Sequence, residues 1–200
     1  MDEQLLPATR RVAGHLRVSV DDPSASALVT RHLFALLEPF REVRRRGIAV
    51  VCIGTDRSTG DALGPLVGSM LEEMGRGSAQ VYGTLDEPIH ATNIVEVMGR
   101  IEGRFGAVVA VDACLGRLDN VGTVSVGSGP LQPGAGVRKD LPAVGDVYIT
   151  GTVNVGGLME YFVLQNTRLS LVMRMARVIA AGVHPVILGE RAAAASGDND

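Results

Sequence analysis

Two aspartates that follow apolar runs are the residues of this sequence whose type and spacing could do acid–base chemistry. Asp61 lies in the glycine-rich stretch GTDRSTGDALGP, residues 54–65, directly after Ile48-Ala49-Val50-Val51-Cys52-Ile53; Asp112 closes the run Ala107-Val108-Val109-Ala110-Val111. A carboxylate at the end of a buried strand needs a partner or a shifted pKa. Two carboxylates held close cannot both stay ionised cheaply, so the pair shares a proton, and one can activate water while the other protonates a peptide carbonyl. Set farther apart, Asp61 and Asp112 would instead hold a divalent metal ion that polarises the carbonyl and acidifies its water. Both arrangements are open at this stage. So are plainer roles: Asp61 as the N-cap of the next helix, and Asp112 as the cap of a turn into Ala113-Cys114.

Other residues are expected around this pair. Thr55, Asp56 and Asn154 are candidates for supporting polar groups. Glycines 54, 60 and 64 allow positive φ and close approach, and Gly60 and Gly64 would keep the path clear for an extended peptide backbone. His90, in Glu87-Pro88-Ile89-His90, could reach the same rim; an exposed or helix-capping histidine is the competing reading. His15, His32 and His184 receive no role, and Arg138 and Lys139 read as an exposed loop pair. The loop is neither a G-x-G-x-x-G dinucleotide turn nor a phosphate-binding G-x-x-x-x-G-K-[ST] loop, and G-x-S-x-G is absent.

These residues must be positioned by alternating strands and helices. Asp22-Pro23 opens a helix expected over 23–43, with Pro39 able to end it early. Strand 48–53 leads through the glycine-rich loop into an amphipathic helix marked by Leu63, Leu66, Val67, Met70, Leu71 and Met74. A strand at 80–84, a helix around 94–101, the continuously apolar strand 107–112 and strands at 122–127 and 146–155 follow. Helix is expected over 157–182, broken near Asn166, and Pro185-Val186-Ile187-Leu188 as a last strand or coil. The series predicts an α/β three-layer sandwich with a mostly parallel central sheet flanked by helices, strands 48–53 and 107–112 being parallel neighbours. Ligands of such folds bind beyond the carboxyl ends of the strands.

Size and composition narrow the function classes. The chain has 200 residues, 46% apolar and 20% charged, with net charge −3. It reads as one α/β domain over 1–190, with an N-terminal arm at 1–21 and a small, acidic, disordered tail at 191–200. Eighteen arginines and one lysine form no recurring basic helix face, so nucleic acid is not expected as a partner. The start, MDEQLLPATRRVAG, has no apolar signal core, and Arg174, Arg177 and His184 interrupt the late apolar segment 169–188, so no membrane association is expected and the cytoplasm is the expected location. Cys52 and Cys114 read as two buried thiols. A homo-oligomer is left open.

The ordered set Ile53-Gly54-Thr55, Gly60-Asp61-Ala62-Leu63-Gly64-Pro65, Val111-Asp112-Ala113 and Pro133-Gly134-Ala135-Gly136-Val137 resembles the germination protease of bacterial spores. With Tyr82-Gly83-Thr84-Leu85-Asp86-Glu87-Pro88 and Gly151-Thr152-Val153-Asn154-Val155-Gly156-Gly157, the stretch 45–182 resembles the YyaC-type sporulation proteins, whose names assign them a protease role in spores. More distantly it is similar to the hydrogenase maturation peptidases. The resemblance implies an α/β sandwich with acidic residues at strand ends, a peptidase acting on a protein or peptide substrate in the sporulating cell or spore, and Asp61 and Asp112 as the first and second functional acids. In the maturation peptidases a histidine completes a nickel trio. No histidine stands in the matching late loop here, which favours the germination-protease side.

Overall fold

The computed structural model describes residues 14–40, 46–75, 77, 79–134 and 141–189. Arg138, Lys139 and the acidic tail 191–200 lie outside the described residues. The apolar run after the arginine triplet forms β2 (Ile48–Cys52), buried at all five positions. It leads into α2 (Leu63–Met74), then β3 (Gln80–Tyr82) and α3 (Ile94–Ile101). Next come β4 (Ala107–Gly116), β5 (Thr123–Ser128), β6 (Val147–Val155), α4 (Glu160–Gln165) and α5 (Leu169–Ile187). These follow β1 (Leu16–Ser19) and α1 (Ala25–Leu37) at the N-terminal side.

One six-stranded sheet has the order β1-β5-β6-β4-β2-β3. The block β3-β2-β4-β6 is parallel, and β5 and β1 close it as antiparallel strands. The expected neighbours are paired in parallel, from Ile48 opposite Ala107 to Cys52 opposite Val111. Side-chain alternation sends Val50, Cys52, Val109 and Val111 into the core under α1, α2 and α5, and sends Ala49, Val51 and Ala110 to the smaller core around Ile94 and Ile101 of α3. A two-sided burial of this kind is why both strands are apolar throughout. The layers are therefore helix, sheet, helix.

Several expected boundaries move. Helix α1 begins at Ala25 and gives way to a tight turn, Glu38–Phe40. Pro39, which lacks an N–H, cannot continue the α-helical ladder. Asp22 is not the cap that was expected: Ser24 precedes the helix without a side-chain cap bond, and Asp22 accepts the Ser24 N–H at 2.8 Å in the turn ahead of it. Residues expected as an arm include β1, whose Leu16 and Val18 pair with Val126 and Val124. Pro185 lies inside α5 rather than in a last strand or coil. Near a helix end its missing N–H costs only one ladder bond, and Val186 and Ile187 beside it are buried. By length and composition α5 could cross a membrane, but its Val172, Met175, Ile179 and Val183 are buried, and the helix packs on α1 and α2. It is a core helix.

Strand β4 runs to Gly116, four residues beyond Asp112. The sequence expectation of a strand ending on that aspartate is corrected because β6 supplies a partner all the way to Val155. On its other side β4 loses its partner at Val111, since β2 ends at Cys52.

Candidate functional site

Where β2 stops, Ile53 still donates its N–H to the Val111 carbonyl (2.7 Å), and Gly54 then turns away to donate to Ile89 (2.7 Å). Gly54 has φ 145°, in the region that favours glycine. The loop folds back so that Thr55 N–H reaches the Asp61 carbonyl at 3.2 Å. Gly64, in the first turn of α2, packs on the Ile53 backbone; an added Cβ would fall onto the Ile53 carbonyl. The helix start is thereby pressed onto the strand end, which fixes Asp61 above the point where β2 leaves the sheet. Asp61 does not cap α2 with its side chain.

Asp112 is the next residue of β4 after Val111 and faces the α3 side by alternation with Ala110. It is 9% exposed, and its Oδ1 accepts the Ala113 N–H at 2.8 Å. Burial pushes its carboxyl up to about 8; the Ala113 hydrogen bond opposes this and the Asp61 charge adds to it. Burial also raises the Asp61 carboxyl, with the Ser58 hydroxyl pulling it back. The Ser58 hydroxyl is buried and makes no hydrogen bond of standard geometry. As a free rotor beside Asp61, it is a donor in waiting. Burial is the main cause of both shifts, and the charge of Asp61 adds a smaller push to Asp112.

The other expected residues separate into distinct roles. Thr55 and Asp56 hold the loop: Thr55 Oγ1 accepts the Arg57 N–H at 3.3 Å and lies 3.5 Å from Asp56 Oδ1, while Asp56 is exposed. His90 lies beside the rim, because its neighbour Ile89 receives the Gly54 N–H, but it serves the entry to α3. Its N–H donates to Asn93 Oδ1 (2.8 Å) and its Nδ1 is 2.9 Å from Thr92 Oγ1. Asn154 anchors α4, donating to the Val163 carbonyl and Thr167 Oγ1 and accepting the Val155 N–H. Gly60 donates to the Leu164 carbonyl at 2.9 Å, and a Cβ there would meet Leu164 and Thr167. Gly60 and Gly64 therefore face this chain's own backbone and side chains, a correction to the expectation that they keep a substrate path clear.

Residues that sequence reasoning missed line the same sheet face. Thr150 is the register partner of Asp112, and Cys114 lies 3.5 Å from Thr152 Oγ1. Cys114 is half-buried rather than buried, and burial raises its thiol pKa, with Thr152 and Thr150 opposing. Only the strand register could have found these. Beyond Val155, Leu158, Met159 and Phe162 are exposed and line an open apolar groove with Val163. Met159 takes φ 57° there, an uncommon left-handed conformation for a non-glycine residue.

Among the described residues, no three His, Cys, Asp or Glu side chains are grouped to hold an ion, and the His90 ring nitrogen facing Thr92 is engaged. The pair Asp61 and Asp112 alone does not supply a trio.

Residues 17–182 match the profile of the family described as "Protein of unknown function (DUF1256)". The chain belongs to the DUF1256 family. The matched stretch runs from within β1 through most of α5, and so contains both aspartates and the loop that sets them. Uncharacterized protein YyaC of Bacillus subtilis (strain 168) is 54% identical over 168 residues, covering 83% of this chain and 80% of that protein. The resemblance to YyaC drawn from the sequence is borne out. Among solved structures, a [NiFe] hydrogenase maturation protease HycI from Thermococcus kodakarensis KOD1 is similar with TM-score 0.46 and 18% identity, over 72% of this chain and 92% of that one.

Proposed function

We propose that this DUF1256 protein is a peptidase that cleaves a protein or peptide substrate with Asp61 and Asp112 as a proton-sharing pair, in the cytoplasm of the sporulating cell or spore. The observation that carries the chemistry is that burial raises both carboxyls, Asp112 up to about 8, so that Asp112 keeps its proton at neutral pH and can act as the acid. The spore setting rests on the sequence resemblance described above.

In the reaction, ionised Asp61 takes a proton from water as its oxygen attacks the scissile carbonyl carbon, while protonated Asp112 gives its proton to the carbonyl oxygen. A gem-diol results. On collapse the C–N bond breaks, Asp61 passes its proton to the leaving nitrogen, and one diol hydroxyl returns a proton to Asp112. The products are an acid and an amine, and the pair is restored. Ala113 N–H, fixed on Asp112 Oδ1, leaves Oδ2 as the oxygen that carries the mobile proton.

The test is cleavage of a defined mixture of synthetic peptides, followed by mass spectrometry, with wild type, Asp61→Asn and Asp112→Asn. Turnover by wild type and loss of at least about 100-fold in each variant are expected, in line with the loss of a general acid or base. Retained turnover in either variant, or none by wild type with any peptide, refutes the reading.

A further inference from the structure

Strand β4 is longer than its neighbour on one side. Val111 receives the Ile53 N–H from the β2 side, and alternate residues of a strand point their N–H and C=O to the same side. Ala113 therefore faces the lane that β2 vacates at Gly54. Its N–H is taken by Asp112 Oδ1, and its carbonyl points to the same side. No described strand pairs with Ala113–Gly116 from that side; β6 alone holds them, from the other. The register to β6 shifts between Cys114 and Leu115, an irregularity of the kind found at sheet edges and next to active sites. All four residues are half-buried, whereas a bare edge that serves no partner is usually covered, charged or very short.

We propose that the lane beside Ala113–Gly116 receives the substrate as an added β-strand, so that the enzyme selects an extended, unfolded peptide segment by its backbone. The proposal rests on the peptidase reading. The substrate strand takes the place that β2 would hold had it continued past Ile53, and one of its N–H groups donates to the Ala113 carbonyl. A peptide bond in that lane lies next to Asp112 and beneath the loop that carries Asp61. Main-chain pairing supplies affinity with little demand on side chains, and the alternate N–H groups that face β4 must be intact, so proline is excluded at those positions.

The test separates backbone from side-chain recognition. Octapeptides are selected from a displayed random library on the Asp61→Asn/Asp112→Asn double variant, which should bind without cleaving. The tightest peptide is then remade with each amide N-methylated in turn. Affinity should fall about tenfold or more at alternate positions and change little at those between, the loss expected for an unmade buried hydrogen bond. Binding of the unmodified peptide should slow amide hydrogen exchange in 113–116, and the non-binding N-methyl peptides should not. Uniform tolerance of N-methylation, protection confined elsewhere, or failure to select any peptide overturns the proposal. Wild-type turnover of the same peptide is scored separately. Cleavage without the alternating pattern sinks the strand-addition proposal and spares the peptidase reading; the alternating pattern without cleavage does the reverse.

Discussion

Replacing Asp112 with asparagine should make the protein more stable at pH 8 than the wild type, and leave the two nearly equal near pH 4. Asparagine keeps an oxygen for the Ala113 N–H and resembles the protonated acid in size, so the substitution removes the buried charge and little else. In the native state the carboxyl titrates at about 8 rather than 3.8. Between those values the folded chain holds a proton that the unfolded chain has lost, so the stability tied to this group is complete below about pH 4 and falls as pH rises towards 8. At 1.36 kcal/mol for each pH unit, the fall amounts to about 5 kcal/mol, a large part of the 5–15 kcal/mol that holds a typical domain folded. Urea unfolding followed by circular dichroism from pH 4 to 8.5 gives both curves. Groups far from Asp112 contribute equally to wild type and variant, so the difference between the curves isolates the site. A difference that stays within about 1 kcal/mol across the whole range refutes the claim that Asp112 is buried against its charge.

Two further substitutions test the scaffold. Gly64→Ala should cost about 3 kcal/mol and lower the melting temperature by about 6–12 °C, because the new methyl meets the Ile53 carbonyl; an unchanged melt contradicts that packing. Asn154→Ala should cost about 1–3 kcal/mol by leaving polar groups of β6 and α4 without partners, and should speed proteolytic nicking near Tyr161 and Phe162; equal nicking rates argue against the anchor.

The parallel pairing of β2 with β4 was legible because buried strands advertise themselves as unbroken aliphatic runs, and the burial of Asp112 was legible because it follows such a run directly. The continuation of β4 through Ala113-Cys114-Leu115-Gly116 was not. A charged residue interrupts the apolar pattern, and what keeps the strand going is its partner β6, about forty residues away in the chain. Pro185 misled for a related reason, since its local preference to break a helix is outweighed by the burial of Val186 and Ile187. Gly60 and Gly64 show the boundary most clearly. Their need for a bare backbone could be inferred from composition, but whether the crowding neighbour is a substrate or the chain itself depends on Leu164 and Ile53, which only the folded arrangement brings there.

The hydrogen bond from Gly60 to Leu164 ties the segment holding Asp61 to α4, so displacement of one is felt by the other. The chain contains no tryptophan. Phe162, half-exposed on that helix, is therefore a place where a single introduced indole would be the molecule's sole long-wavelength fluorophore, turning α4 into an optical gauge of what happens beside Asp61 without any label on the ligand.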